Sequence, residues 1–274
     1  MVYYSLVNKK EILKEEFGVE ELTKRVIVCP IEWNKVLPDD WVDRLSKKYE
    51  VQTIKAADSH LSKIENNYRI KNTLFLFINR GIAEAADRFY ILAKNTKVKE
   101  IIFLGSAASL VDDLDTGDIN IPIFNIPWED ISSEYVNVFE FLPVGNEDLI
   151  DELTKRTKKY ARVYGLKVKN SNNATVELFY GETIELLNFF KQMNVSTIDM
   201  ELSALYRLAA AFGKKAAGIL EVSDRPLHKE EFFSKKHKSK KYKMDESKEV
   251  LFEVISSLLT KTLPSFDEYN NRNL

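Results

Sequence analysis

The sequence has little of what disulfide frameworks and metal centres require. Among its 274 residues are one cysteine, Cys29, and three histidines, which excludes an internal disulfide and a cysteine-based zinc cluster. No two histidines stand at the spacing of helical metal ligands, and we expect no metal site. No apolar run is long enough to cross a membrane, and the first residues lack a signal-peptide pattern. We therefore expect a cytoplasmic protein without membrane contact.

The charge balance is nearly even. Lys and Arg number 40 against 42 Asp and Glu, a formal net charge of -2 at pH 7, so nothing attracts the whole chain to nucleic acid. Hydrophobic residues make up 45% of the chain and charged residues 30%, which is typical of a globular enzyme. No repeat or low-complexity linker divides it. We expect one domain over residues 1–274, with 1–24 as a charged helix or N-terminal arm.

Strand and helix patterns alternate along the chain and predict an α/β fold. Apolar runs predict strands at 25–30, 51–54, 73–78, 100–104, 161–170 and 216–222, with another after 116–122. Amphipathic spacing predicts helices at 41–49, 83–95, 146–160, 182–193, 202–212 and 245–261. This alternation favours a mostly parallel sheet with helices on both faces.

Two carboxylates frame the most informative stretch, residues 198–226. Glu201 opens a predicted helix, and Asp224 comes just past the predicted strand 216–222. Ligands collect at strand ends and helix starts in open α/β sheets, so we expect both carboxylates at a binding site. The alternative for Glu201 is a plain helix cap or an ion-pair partner.

Three other segments could bind a substrate. Gly105 and Ser106 follow a buried strand, where small residues let backbone amides approach an anion, although a simple tight turn is the alternative. Arg80 ends an apolar strand beside a glycine, which suits a phosphate or carboxylate ligand unless it is an ordinary surface arginine. Phe179 and Tyr180 could stack on a base, although most aromatic side chains fill cores.

The joint order of these segments resembles the nucleoside phosphorylase and nucleosidase superfamily. The resemblance extends from about Thr73 to Leu227 and rests on Gly-Ser-Ala-Ala-Ser-Leu at 105–110, Gly-Asp at 117–118, Leu-Phe-Tyr at 178–180, Asp-Met-Glu at 199–201 and Val-Ser-Asp at 222–224. The superfamily includes hexameric purine nucleoside phosphorylases, uridine phosphorylases and methylthioadenosine nucleosidases. It implies a three-layer α/β/α fold with a mixed, mostly parallel central sheet. It also implies a homo-oligomer, either a dimer or a hexamer built as a trimer of dimers.

The resemblance assigns the nucleoside to four residues. Glu201 would accept hydrogen bonds from the ribose hydroxyls, a task that needs a two-oxygen acceptor. Met200 would pack beneath the sugar, Phe179 would lie against the base, and Ser223 would belong to the same nucleoside-binding set.

The resemblance also implies the chemistry. Asp224 would be the catalytic acid at N7 of a purine, with a pKa raised by burial. Gly105, Ser106 and Arg80 would bind inorganic phosphate, the co-substrate, and no other cofactor is expected. The implied reaction cleaves the N-glycosidic bond of a nucleoside with phosphate, giving the free base and ribose 1-phosphate.

Two departures leave the acceptor open. Phe103 stands where phosphorylases of this family carry an arginine, and Cys29-Pro30-Ile31-Glu32-Trp33 replaces their N-terminal phosphate loop. Arg80, where the family has an apolar residue, could restore a positive charge or could bind an acidic group on the substrate. The alternatives are a phosphate-independent nucleosidase, with Glu32 as candidate base, and a nucleoside-binding protein that has lost turnover.

Residues 228–244 are strongly cationic and are interpreted as a basic lid loop. The resemblance makes Lys240 the nearest match to a basic residue that assists Asp224, and a solvated loop without function is the alternative. The run lacks interleaved aromatic residues, so we expect no nucleic-acid partner. In an oligomer, Arg69 or His60 would be the residue that a neighbouring subunit contributes to the site.

Overall fold

A computed structural model describes residues 9–30, 37–55, 66–137, 140–231 and 234–260. Its helices are α1 (Lys10–Phe17), α2 (Trp41–Ser46), α3 (Ile82–Lys94), α4 (Glu147–Ala161), α5 (Ile184–Gln192), α6 (Leu202–Ala211), α7 (Lys235–Ser239) and α8 (Lys241–Leu258). Its strands are β1 (Arg25–Pro30), β2 (Val51–Lys55), β3 (Asn66–Ile70), β4 (Thr73–Ile78), β5 (Glu100–Ser109), β6 (Ile119–Asn120), β7 (Asn125–Trp128), β8 (Val168–Lys169), β9 (Asn172–Val176), β10 (Val195–Asp199) and β11 (Lys215–Asp224).

All these strands belong to one mixed sheet organised around β5. The strand order is β2-β3-β4-β1-β5-β10-β9-β7, and β11 joins β5 to β6 and β8. The long pairings of β1 with β4, β1 with β5 and β5 with β11 are parallel. Strands β2 and β3, β3 and β4, and β5 and β10 pair antiparallel. The sheet is therefore mixed and mostly parallel around its centre.

Helices cover the sheet on both faces because the side chains of its central strands alternate. Val26 of β1 lies in an apolar cluster with α1, α3 and α6, whereas its neighbour Ile27 lies in a cluster with α2, α4 and α8. Successive strand residues point to opposite faces, so one apolar run serves both cores. A smaller cluster joins α5 to β9 and β10. Among the described helices, none has the length and apolar character needed to span a bilayer.

Some predicted elements differ from the structure. The predicted strand at 161–170 is confirmed only for its last part, the short strand β8. Before it, Arg162–Tyr164 form a 3-10 helix that ends at Gly165, whose φ of 66° is left-handed. Of the two alternatives for 1–24, the helix is observed as α1, and its Leu13 and Phe17 are buried in the core. Apolar positions spaced four apart on a short helix explain that burial.

The carboxyl group of Glu221 is buried in the core, and its ionisation near neutral pH should destabilise the fold. Glu221 on β11 is fully buried, and its Oε2 accepts a 2.6 Å hydrogen bond from Ser247 Oγ on α8. Its Oε1 has no hydrogen-bond partner among the described residues. Burial raises the pKa of Glu221 to about 8, because the charged form is poorly solvated there.

We predict that Glu221→Gln makes the stability of the protein less dependent on pH. The folded state holds the Glu221 proton up to about pH 8, whereas the unfolded state releases it near the ordinary glutamate value, so stability falls as pH rises between the two. The variant should gain stability over the parent by about 1.4 kcal/mol per pH unit across this window. Urea unfolding at several pH values measures the gain. The exposed Glu147→Gln should follow the parent curve, and a gain independent of pH would contradict the assignment.

Candidate active site

Three strands bring the predicted site residues to one end of the sheet. Ala108, near the end of β5, pairs with Ile198 of β10 on one side and with Asp224 of β11 on the other. Because β10 runs antiparallel to β5, the chain beyond Ile198 continues beside the last residues of β5 and then reaches Glu201. The two predicted carboxylates therefore flank the carboxyl end of β5. Open α/β sheets bind their ligands at the carboxyl ends of the strands.

Glu201 is available for a ligand because Asp199 caps the helix in its place. Glu201 occupies the N-cap position of α6, yet its side chain makes no capping hydrogen bond. Asp199 Oδ2 instead accepts hydrogen bonds from the backbone N–H of Leu202 at 2.7 Å and of Glu201 at 3.2 Å. Its Oδ1 accepts from Asn173 Nδ2 at 2.8 Å and Thr175 Oγ1 at 2.5 Å. The helix-cap alternative for Glu201 is wrong, and Asp199 is the capping residue.

The Glu201 carboxylate is buried and oriented by the turn that follows β4. Its Oε1 accepts a 2.7 Å hydrogen bond from the backbone N–H of Gly81. Gly81 has a φ of 107°, a conformation that a side chain would strain. Burial, and then the neighbouring Asp199, raise the pKa of Glu201 above the ordinary glutamate value, while Arg80 lowers it. Arg80 also lies over the Phe179 ring, with Cζ 5.7 Å from the ring centroid. Arg80, Phe179 and Glu201 thus form one group.

Asp224 is the last residue of β11, not a residue beyond it, and is buried. Ser223 Oγ donates a 2.7 Å hydrogen bond to Asp224 Oδ1, and the Ser223 carbonyl lies 3.2 Å from His237 Nε2 on α7. Burial, with a smaller contribution from Glu231, raises the pKa of Asp224 to about 6. A carboxyl with this pKa can hold a proton near neutral pH and deliver it to a substrate.

A second carboxyl group lies at the Asp224 end of the site and was missed from the sequence. Glu182 follows the 3-10 helix Phe179–Gly181 and precedes the N-cap of α5, Thr183. Burial, and then the charge of Asp224, raise the pKa of Glu182 to about 7. The only signal in the sequence was its position three residues after Phe179. The interaction with Asp224 depends on tertiary contacts.

The predicted anion-binding turn is part of β5. Residues 105–109 continue the strand because β11 pairs with it as far as Ala108 and β10 pairs with Ala108 and Ser109. A Cβ atom on Gly105 would lie 2.3 Å from Phe103 Cε1, so only glycine fits beside that ring. Phe103 is fully buried and packs edge-on against Phe89 of α3, with centroids 6.0 Å apart. Half-buried Ser106 follows inside the strand and pairs with Glu221 of β11.

Comparison with known proteins identifies the family. Residues 80–260, well over half of the chain, match the family model described as the phosphorylase superfamily. The chain belongs to the phosphorylase superfamily. The match includes Arg80, the end of β5, Phe179, Glu201 and Asp224.

Relatives agree with this membership, and a solved structure shares the fold. The chain is 26% identical over 197 residues to a DeoD-type purine nucleoside phosphorylase of Buchnera aphidicola subsp. Acyrthosiphon pisum, covering 71% of this chain and 82% of that protein. It is 29% identical over 140 residues to a DeoD-type relative from Bacillus cytotoxicus, covering 51% of this chain and 58% of the relative. The solved structure of a P. knowlesi homologue of P. falciparum PNP matches with a TM-score of 0.59 at 21% identity, over 88% of this chain and 91% of that one. The structural match confirms the expected α/β/α fold with a mixed, mostly parallel sheet. The family and its relatives confirm the expectation of an enzyme of the pentosyltransferase type.

The predicted lid of this phosphorylase-superfamily chain is helical over much of its described part. Within 228–244, α7 and the start of α8 replace the expected loop, and Ser234 Oγ caps α7 by accepting from His237 N–H. Lys240 Nζ is bonded to Asp115 at 2.5 Å and to Glu230 at 2.8 Å. Lys240 is therefore paired with these two carboxylates, and the expectation that it assists Asp224 is not supported.

Of the further residues expected at the site, Arg69, His60 and Glu32, the structure describes only Arg69. Arg69 Nη2 donates a 2.9 Å hydrogen bond to the Glu21 carbonyl of its own chain. Glu32 and His60 lie outside the described residues. Among the described residues, no group of three or more His, Cys, Asp and Glu side chains could hold a metal ion.

Proposed function

We propose that this member of the phosphorylase superfamily cleaves the N-glycosidic bond of a purine nucleoside with phosphate as acceptor. The products are the free base and ribose 1-phosphate. The observation that carries the proposal is the pair of buried carboxyl groups, Glu201 and Asp224, on either side of the carboxyl end of β5. The DeoD-type relatives are named purine nucleoside phosphorylases, which supports a purine substrate.

Asp224 is assigned to the leaving base. The C–N bond breaks through an oxocarbenium-like sugar, and electrons of that bond pass to the purine ring. Asp224, with its pKa raised to about 6, donates its proton to N7 as negative charge develops on the base. The hydroxyl of Ser223 is bonded to Asp224 Oδ1, which fixes the carboxyl group and leaves its other oxygen for the substrate.

Glu201 is assigned to the sugar. With Oε1 bonded to the Gly81 N–H, its carboxylate still has lone pairs for the two ribose hydroxyls. Half-buried Met200 belongs to the apolar cluster beneath this point, and the Phe179 ring offers an aromatic surface for the base. The sugar thus lies between Glu201 and the end of β5.

Phosphate is assigned to Ser106, the backbone around Gly105, and Arg80. The proximity of Arg80 to Glu201 supports this assignment, because a guanidinium near the sugar can bind the anion that attacks C1′. We expect Arg80→Ala to raise the KM for phosphate by about 10- to 100-fold, the loss of one charge-assisted hydrogen bond, while the KM for nucleoside changes little. Arg80→Lys should retain part of the phosphate affinity.

An assay of base release, run with and without phosphate, measures these KM values and also tests the proposed function. Adenosine or inosine is supplied with and without phosphate, and free base, ribose and ribose 1-phosphate are measured. Phosphate-dependent release with ribose 1-phosphate as product is expected. A phosphate KM that is equal in Arg80→Ala and the parent would contradict the role of Arg80.

Hydrolysis is the second candidate, and Phe103 favours it. The side chain at this position is apolar and packed against Phe89 inside the core, so the cation that family phosphorylases place here is missing. Release of free ribose without phosphate would establish the hydrolase. Tight binding of nucleoside with no release under either condition would indicate a binding protein that has lost turnover.

We also propose a homo-oligomer. Large apolar side chains are exposed next to the site, among them Trp128, Leu178, Tyr180, Ile184 and Phe189. The rings of Trp128 and Phe189 are in contact, with centroids 5.6 Å apart, and exposed apolar side chains that lie together are typical of protein interfaces. Light scattering in solution measures the mass, and a monomer at micromolar concentration would contradict the proposal.

A further inference from the structure

Glu182 lies where the chain passes from the base-stacking segment to helix α5. Its backbone N–H donates to the Phe179 carbonyl at 3.4 Å, closing the 3-10 turn. Thr183 caps α5 by accepting from the Leu186 N–H at 3.3 Å. These bonds hold the backbone on either side of Glu182. The location of the Glu182 side chain therefore depends on where α5 packs.

Helix α5 packs over the ends of the strands that form the site. Leu186 and Leu187 of its first turn share an apolar cluster with Ala108 of β5 and with Leu227, three residues after Asp224. Ala108 is also the register partner of Asp224. The start of α5 therefore lies against the carboxyl end of β11, which brings Glu182 close enough to Asp224 for the two carboxyl groups to interact.

The charged groups around Glu182 do not neutralise it. From β11 it meets Asp224, and Glu231 acts on Asp224 with the same sign. His228, in the 3-10 helix that contacts α5, has a pKa lowered by burial and nearby cations, so it is neutral at pH 7. Arg80 lies over the ring of Phe179, and its charge is not among those that shift the pKa of Glu182. The base end of the site is thus acidic and rich in hydrogen-bond acceptors.

We propose that Glu182 determines which purine the site accepts, by accepting a hydrogen bond from an amino group on C6 of the base. The proposal rests on the proposed function, which places N7 at Asp224. N7 and the C6 substituent lie on the same edge of a purine, where adenine presents an amino donor and a 6-oxopurine presents an acceptor. An ionised carboxylate only accepts, so it binds the amino group and repels the carbonyl.

Protonation of Glu182 changes this preference. Burial and Asp224 raise its pKa to about 7. Below that pH the neutral carboxyl carries an O–H that can donate to a 6-oxo group, so both bases are accepted. Above it the carboxylate discriminates, because the carbonyl of a 6-oxopurine is left facing a negative charge.

The test compares adenosine with inosine as substrates of the parent and of Glu182→Gln. At saturating phosphate, the ratio of kcat/KM for adenosine over inosine should rise about tenfold in the parent between pH 6 and pH 8. In Glu182→Gln the ratio should be near one and independent of pH, because an amide can donate or accept. Glu185→Gln, an exposed position in the first turn of α5, should behave as the parent does.

The outcomes separate this inference from the proposed function. A ratio that is the same in Glu182→Gln and the parent would overturn the role of Glu182 while leaving the function intact. Calorimetric binding of free adenine and hypoxanthine provides the same comparison without turnover. A parent that binds both bases equally at pH 8 would overturn the inference. A parent that cleaves neither nucleoside, yet binds adenine in preference, would overturn the function alone.

Discussion

Asp224→Asn should slow release of the base by about 10²- to 10⁴-fold in kcat, the usual contribution of a general acid. Asparagine has the same size, and its oxygen can keep the 2.7 Å hydrogen bond from Ser223 Oγ. It cannot transfer a proton to N7. In the parent, Asp224 is protonated below its pKa of about 6, so kcat/KM should decline as pH rises through this value, and the variant should lack that decline. Initial rates of base release across pH measure both effects.

The fold of the Asp224→Asn protein should remain intact, because removing an ionisable group from a buried position takes away a desolvation cost at neutral pH. Its thermal midpoint should equal or exceed that of the parent. Unchanged rates with an unchanged midpoint would remove Asp224 from the mechanism.

Glu201→Gln should lower kcat/KM by about 10²- to 10³-fold, corresponding to hydrogen bonds from both ribose hydroxyls to a buried two-oxygen acceptor. Glutamine can keep the bond to the Gly81 N–H with its oxygen. Its other polar atom becomes an amide nitrogen, which donates and cannot accept from a hydroxyl. Steady-state kinetics with adenosine measure the loss.

A 2′-deoxynucleoside provides the control for Glu201. The parent should prefer the ribonucleoside, and Glu201→Gln should lose much of that preference because the 2′-hydroxyl no longer has its partner. If the variant loses the same factor with both sugars, Glu201 does not contact the 2′-hydroxyl. Glu185→Gln again serves as a matched carboxyl-to-amide change outside the site.

Much of the scaffold could be predicted because its signals are local. The apolar runs at 25–30 and 73–78 are β1 and β4 with the same bounds, and the amphipathic pattern from Leu202 is α6. Buried parallel strands are continuous apolar runs, so the centre of the sheet is visible in the sequence. The place of Glu201 and Asp224 at strand and helix ends follows from the same signals.

The remainder depends on contacts between distant segments. Residues 105–109 have the composition of a turn, yet they are a strand because β10 and β11, about a hundred residues later, pair with them. Lys240 is held by Asp115, which is 125 residues away in sequence. The interaction of Glu182 with Asp224 likewise arises only when α5 packs on the sheet. Local pattern carries no information about such pairings.

The central claim is that Glu201 and Asp224 act on one bound nucleoside, and a crystal structure of Asp224→Asn with adenosine tests it most directly. The account predicts the ribose hydroxyls within about 2.6–3.2 Å of the Glu201 carboxylate, with N7 of the base facing residue 224. Adenosine bound away from the end of β5, or with its ribose turned away from Glu201, would contradict it.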